Sequence, residues 1–327
     1  MLKIKGDFAK TLYEMPVSYK DAIKLDPIKK GEKISILSDS MLKTMFQNEN
    51  RIKYSAWLLA YYLDIPYDKL LKNIHLSKNE LDKEKDNYKG EKCDYVALID
   101  NSFVNIEVNN NGNEKMLERN IDYAHRLYSR LIKRGDNTYE YTQVVQLNLN
   151  NFSFIGNDKV VDTYVIQNNE HIKMSNKLIF IQIFIPNLIR KWYTEGTKGL
   201  EESEKYLLTL VLRKIDESKQ LGKGIKIMEE YVDDAEYVIL DDDLRESYDK
   251  EWALKDLGHQ QGYIDGYEIG KTEGIEQGKL EGIEQGKLEG IEQGKLELTK
   301  KMLSENIDIE TISKITGLDA KKIKDLK

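Results

Sequence analysis

Between residues 92 and 150 the chain changes its hydrophobic period twice, and few folds accommodate the resulting order of elements. KCDYVALI (92–99) and FVNIEVN (103–109) are rich in β formers. The turn residues Asp100, Asn101 and Ser102 separate them, which predicts an antiparallel hairpin. EKMLERNIDYAHRLYSRLIKR (114–134) then switches to helical spacing. Its apolar face is read as Met116, Leu117, Ile121, Ala124, Leu127 and Leu131, with Gly135 as the C-terminal stop. YTQVVQLNLN (141–150) returns to strand. The intervening helix is long enough to carry the chain across a sheet, so strands 103–109 and 141–150 are expected to be parallel.

The flanking segments extend this pattern. Residues 1–35 read as irregular. Ser38 or Asp39 reads as the cap of a helix MLKTMF, and IKYSAWLLAYYLDI as a second helix running to Pro66. KNIHLS (72–77) reads as a short strand and 78–91 as a polar loop. TYVIQ (163–167) and KLIFIQIFI (177–185) read as two further strands. Residues 186–257 are mostly helical, with VDDAEYVILDDD between helices. The whole is an α/β chain with an αβββαβ core and a helical extension.

The 327 residues suit one large domain plus an appendage. No apolar run reaches 18 residues, so no membrane span is expected. MLKIKGDFAK has no apolar signal core, which makes the cytoplasm the expected location. A single cysteine, Cys93, excludes a disulfide framework and a Cys-based zinc site, and four scattered histidines argue against a His-rich metal site. Cys93 reads as a small buried residue on the strand face opposite Asp94. The net charge of −7 is unevenly spread: residues 1–200 sum to +4, 201–300 to −12 and 301–327 to +1. The acidic excess lies outside the N-terminal region, which can still approach a polyanion.

From Gly258 to Gly294 glycine recurs every fourth residue, and GIEQGKLE repeats three times, from 274, 282 and 290. Each glycine costs a helix roughly 0.8–1 kcal/mol relative to Ala. The stretch therefore reads either as a solvated, partly helical linker or as a stripe for close helix–helix approach in a homo-oligomer. Residues 298–327 regain globular patterning, with Ile309, Ile312, Ile315 and Leu318 on one face. ITGLDAKKIKDL resembles the corner of a helix-turn-helix at Gly317, and reads as either a DNA-docking element or a helical cap. The expected divisions are 1–257, 258–297 and 298–327.

The chemistry-bearing residues sit on the hairpin. Glu107 and Asn109 share one strand face. A turn at Asp100-Asn101 puts Asp94 opposite Glu107; a turn at Asn101-Ser102 puts it opposite Asn109. Either register gathers the three polar groups, with opposed Cβ atoms about 4.5–5.5 Å apart. Carboxylates that close raise each other's pKa, a conflict a hard divalent cation removes. A half-exposed hairpin with a solvated polar face would show the same alternation. Asp39 reads as a third acid beside such a cation or as a helix N-cap. Lys43 reads as a phosphate contact or a solvated side chain.

Several stretches in order resemble the recombination-promoting nucleases, also described as PD-(D/E)XK nuclease family transposases. SDSMLKTMF resembles that family's D-x-x-x-K-x-x-F helix through Asp39, Lys43 and Phe46. KCDYVALIDNSFVNIEVN resembles its Asp strand, hairpin and E-x-Q strand. Residues 118–152 resemble its R-x-x-x-Y crossover helix and following strand, with Arg119 and Tyr123 as the pair. The resemblance implies a restriction-endonuclease-like fold and DNA cleavage dependent on Mg²⁺ or Mn²⁺. It maps metal binding onto Asp94 and Glu107, with Asp39, Asp94, Glu107 and Asn109 as the catalytic set. Asn109 stands where the superfamily carries Lys and this branch often Gln. Lys92, Lys115 or Arg119 is left to supply positive charge, and Lys43, Lys115 and Arg119 to contact DNA. The other reading is a catalytically degenerate nuclease fold serving as a DNA-docking or oligomerisation protein.

Overall fold

The computed structural model describes residues 15–80, 92–131, 143–168 and 170–326, with backbone alone at 114, 131, 259–276 and 280. The expected stop at Gly135, the first residues of strand 141–150, most of the 78–91 loop and the extreme N-terminus lie outside the described residues.

The hairpin forms from β3 (Tyr95–Ile99) and β4 (Ser102–Asn109) around a two-residue turn, in which Asp100 takes a left-handed φ of 50°. Ile99 pairs with Ser102 and Tyr95 with Ile106. A short β2 (Ile74–Leu76) adds antiparallel to β3. Asn113 caps α4 (Glu114–Leu131), its Oδ1 accepting from Met116 N–H at 2.9 Å. The helix crosses to β5 (Val144–Asn150), which pairs parallel to β4 in register Glu107–Asn148. The long β8 (Lys173–Phe184) pairs parallel to β5, and β7 (Val161–Gln167) closes the far edge antiparallel. The sheet order is therefore β2-β3-β4-β5-β8-β7, a mixed six-stranded sheet. Between β5 and β7, β6 (Ser153–Phe154) pairs antiparallel with β1 (Val17–Ser18) as a separate two-stranded ribbon.

One sheet face carries the main core. Tyr95, Ala97, Ile99, Val104, Ile106, Leu147, Leu149 and Ile183 meet buried residues of α1 (Asp39–Phe46), α2 (Ile52–Tyr62), α6 (Glu202–Val211) and α8 (Lys226–Val238). Short helices α3 (Tyr67–Asn73), α5 (Ile185–Glu195) and α7 (Ile215–Gly222) complete this side. The sequence reading passes over α3. It also leaves VDDAEYV between helices, whereas that segment is the C-terminal half of α8 and only 239–241 separate it from α9 (Asp242–Ser304).

The other face lies beneath α4 and is not uniformly apolar. Cys93, Val96, Phe103, Tyr123, Ala124, Leu127 and Val144 form one cluster; Met116, Leu117, Phe152, Phe154 and Phe184 form another. Met116, Leu117, Ala124 and Leu127 are buried as their spacing predicts, but Ile121 is 52% exposed and Asn120 takes the buried position between the two clusters. Each buried Leu or Phe contributes about 1.5–3 kcal/mol, which holds α4 onto this face despite the polar middle.

The chain forms two compact units, Met1–Leu254 and Lys255–Lys327. In the second, the glycine repeat is helical within α9. Cβ atoms built at Gly278, Gly282, Gly286, Gly290 and Gly294 would meet nothing within 4 Å. Asp308 caps α10 (Ile309–Thr316), Gly317 turns left-handed at φ 70°, and Asp319 caps a five-residue α11 (Ala320–Lys324). Ile312 is buried here, but Ile315 is 59% exposed, so the expected apolar face is narrower than its spacing suggests. No helix among the described residues is long and apolar enough to cross a membrane.

Candidate active site

The hairpin register places Asp94, just before β3, across from Glu107. There the backbone ladder gives way to side chains. Asp94 N–H donates to Glu107 Oε1 at 3.0 Å, and Val108 N–H donates to Asp94 Oδ2 at 2.9 Å. Gln47, the C-cap of α1, donates through Nε2 to the Asp94 carbonyl, which ties α1 to the same corner.

This face is buried rather than half-exposed, because α4 lies over it. Glu107 is 1% and Asn109 2% exposed, and Asp94 is half-buried. Along β4 and β5 the pairs Asn105–Gln146, Glu107–Asn148 and Asn109–Asn150 stack as successive polar rows. Asn105 Nδ2 donates to Glu107 Oε1 at 3.1 Å and to Gln146 Oε1 at 2.9 Å. Gln146 Nε2 and Asn120 Nδ2 donate to Asn148 Oδ1 at 3.0 and 3.1 Å. Asn109 Nδ2 donates to Asn150 Oδ1 at 3.0 Å, and Asn150 Nδ2 to Gln182 Oε1 at 2.9 Å. The ladder is incompletely satisfied: Asn105 Oδ1, Asn120 Oδ1 and Asn148 Nδ2 are buried without a hydrogen bond. Unpaired buried polar atoms cost of order 1–3 kcal/mol each, so this is an expensive interior.

Burial sets the electrostatics. Desolvation pushes Asp94 up to about 6, and the charge of Asp39 adds to it. The Val108 N–H, Arg119 and Lys43 oppose the rise. Desolvation, then the charge of Asp94, holds Glu107 well above the usual carboxylate range against the Asp94 N–H, Asn105 and Arg119. On each carboxylate one oxygen is bound by N–H donors. Asp94 Oδ1 and Glu107 Oε2 have no protein donor among the described residues. No group of three or more His, Cys, Asp or Glu is placed to hold a metal among the described residues. The donor set is thus two hard oxygen ligands with open valences. That suits Mg²⁺ or Mn²⁺, which take one or two carboxylates and fill the remaining positions with waters and phosphate oxygens.

The other expected residues fall at different distances from this pair. Asp39 is not the cap of α1; Ser38 is, its Oγ accepting from Met41 N–H at 3.1 Å. Asp39 stands one position inside the helix and forms an ion pair with Lys43. Its own N–H donates to Glu251 Oε1 at 3.1 Å. Both side chains act on Asp94 through their charge rather than by contact. Arg119 donates through Nη2 to Asn109 Oδ1 at 3.4 Å and lies 5.7 Å from the Tyr123 ring centroid. Lys92 and Lys115 are exposed and contact neither carboxylate. Cys93 is buried, but it packs against Val96, Phe103, Tyr123 and Leu127 on the α4 side. The regular pleat begins only at Tyr95, so strand alternation does not reach back to Cys93.

The amide residues Asn105, Asn120, Gln146, Asn148, Asn150 and Gln182 were not singled out from sequence. The available signal was the matched alternation N-I-E-V-N in β4 and Q-L-N-L-N in β5.

The sequence profile of the PD-(D/E)XK nuclease family transposases matches residues 36–259, from the start of α1 into α9. The chain belongs to this family. No curated protein and no solved structure matches it. The mixed sheet flanked by helices is compatible with the PD-(D/E)XK fold, and the family places the chain among nucleases with a role in transposition.

Proposed function

We propose that this protein is a divalent-metal-dependent DNA endonuclease whose breaks promote recombination or transposition. The observation that carries the reading is the Asp94–Glu107 pair, desolvated, mutually repelling, and presenting one open oxygen from each carboxylate. Asp94 and Glu107 would hold Mg²⁺ or Mn²⁺. When bound, the ion supplies charge neutralisation for a phosphodiester and acidifies a nearby water. The Val108 and Asp94 N–H groups fix the carboxylate orientations. Asp39 assists through its charge, and Lys43, Lys115 and Arg119 face DNA. Asn109 belongs to the catalytic set as a hydrogen-bonding residue. Residues 258–297 and 298–327 are assigned as separate repeat and C-terminal elements beyond a nuclease unit ending near 257.

Incubating supercoiled plasmid with wild type and Mg²⁺, with Asp94→Ala, and with EDTA tests the assignment. Nicking or linearisation lost in both controls is the expected result. Full metal-dependent cleavage by Asp94→Ala sinks it. Wild type inert with every divalent ion moves the weight to a docking protein built on a degenerate nuclease fold, a reading that Asn109 in place of Lys favours.

A further inference from the structure

Asn109 occupies the position at which a basic residue would lie beside the acid pair, yet both ends of its side chain are engaged by protein. Nδ2 donates to Asn150 Oδ1 at 3.0 Å. Oδ1 accepts from Asn120 Nδ2 and from Arg119 Nη2, each at 3.4 Å. At 2% exposure it has little room for a water to orient. The Asn109 side-chain Oδ1 instead faces a guanidinium, with the Tyr123 ring 5.7 Å from that group.

Arg119 has a second unusual property. No carboxylate oxygen lies within 4 Å of it among the described residues, and its Nη2 reaches Asn109, two residues along β4 from Glu107 and on the same strand face. Lys43 is neutralised by Asp39, and Lys92 and Lys115 contact neither acid. Arg119 is therefore the cation that stands at the edge of the acid pair with its charge unquenched and its position held from two sides.

Resting on the nuclease reading above, we propose that Arg119 is the catalytic cation of this site, stabilising charge on the scissile phosphate, and that Asn109 is its positioning residue. In hydrolysis one bond forms between a water oxygen and phosphorus, and the bond from phosphorus to the leaving sugar oxygen breaks. The water gives up a proton and the leaving oxygen takes one up, so no further reactant is required. A guanidinium keeps its proton throughout and serves by charge and paired N–H donors. The sequence departure at Asn109 then marks a relocated charge: the strand supplies an acceptor, and the helix ten residues on supplies the cation.

The test uses the full-length chain with two readouts, plasmid nicking rate and Mn²⁺ affinity by titration calorimetry. Arg119→Met should slow nicking about 10²–10³-fold. Its Mn²⁺ affinity should not weaken, because removing a positive charge favours cation binding. Arg119→Lys should recover part of the rate. Asn109→Ala should slow nicking in the wild-type background and add nothing in the Arg119→Met background. Wild-type nicking by Arg119→Met overturns the proposal. So does a parallel loss of Mn²⁺ affinity, which marks a structural role, and so do multiplicative effects of the two substitutions, which give Asn109 a role of its own. A wild type that neither nicks DNA nor binds Mn²⁺ overturns the nuclease reading, and this proposal with it.

Discussion

Lys33 allows a clean measurement of what a buried charge costs this fold. It is fully buried among Ile34, Ile36 and Leu37, its Nζ donates to Leu210 O at 3.3 Å, and it lies 5.5 Å from the Tyr231 ring centroid. Among the described residues no acid pairs with it, and burial pulls its pKa from 10.5 to about 7. At 1.36 kcal/mol per pKa unit, that drop corresponds to about 5 kcal/mol against folding once the unfolded chain is protonated. The sign follows from which state holds the proton. Above pH 10.5 both states are neutral and there is no penalty. As pH falls from there to about 7 only the unfolded state gains the proton, so the penalty grows. Below about 7 both states are protonated and it is constant at its full value. Lys33→Met keeps the volume, and Leu210 O keeps its bond from Ile36 N–H at 3.2 Å. Urea melts of both proteins from pH 6 to pH 11 should show Lys33→Met more stable by several kcal/mol at pH 7, with the gap closing toward pH 10.5. A gap independent of pH, or a variant less stable at every pH, refutes the argument. The site residues are untouched, so the variant also offers a stabilised background for weakened site mutants.

Two further outcomes are expected. Asn105→Leu removes donors to both Glu107 and Gln146; it should cost about 1–3 kcal/mol in a melt and weaken Mn²⁺ binding about 10–100-fold. Unchanged affinity would detach the amide ladder from the acid pair. Gly286→Ala with Gly290→Ala should add helical circular dichroism and about 1 kcal/mol of helix stability per site, since no atom approaches either position. Loss of a sedimenting oligomer on the same substitution would instead identify the glycines as a packing stripe.

The order of elements was legible because each change of hydrophobic period marks an element boundary. The hairpin was legible but its turn was open between Asp100-Asn101 and Asn101-Ser102; the structure takes the first, with Asp100 in the left-handed backbone that Asp tolerates. Burial of the site face was not. N-I-E-V-N and Q-L-N-L-N alternate as a half-solvated hairpin would, and alternation cannot reveal whether a helix or water covers the polar side. The apolar face of α4 was legible except at one turn, where Asn120 occupies a core position while Ile121 faces out. Hydrophobic pattern assigns an Asn/Ile pair the other way round, and the polar partners Asn148 and Asn109 on the sheet below reverse it. Sequence left Ser38 and Asp39 as alternative caps because both residue types cap well, and the choice rests on which side chain reaches Met41 N–H.

The amide ladder also explains how a desolvated acid pair can persist without a salt bridge. A Lys or Arg in direct contact would stabilise Glu107 but would neutralise the negative field that attracts a cation. The neutral Asn105 amide and the Asp94 N–H donate to one oxygen of Glu107, the Val108 N–H donates to one oxygen of Asp94, and none of these donors carries a charge that would cancel the pair's own. The lone guanidinium stays beyond ion-pair distance, held by an amide oxygen rather than by an acid. This arrangement exchanges stability for charge, and the three unpaired amide atoms of Asn105, Asn120 and Asn148 show where the stability is given up. A protein selected only to fold would fill this space with Leu and Val, as it does in the two apolar clusters on either side along α4. The polar rows lie where β4 faces Asp94 and the clusters lie beyond it, so the cost is confined to the few residues that present the two acids.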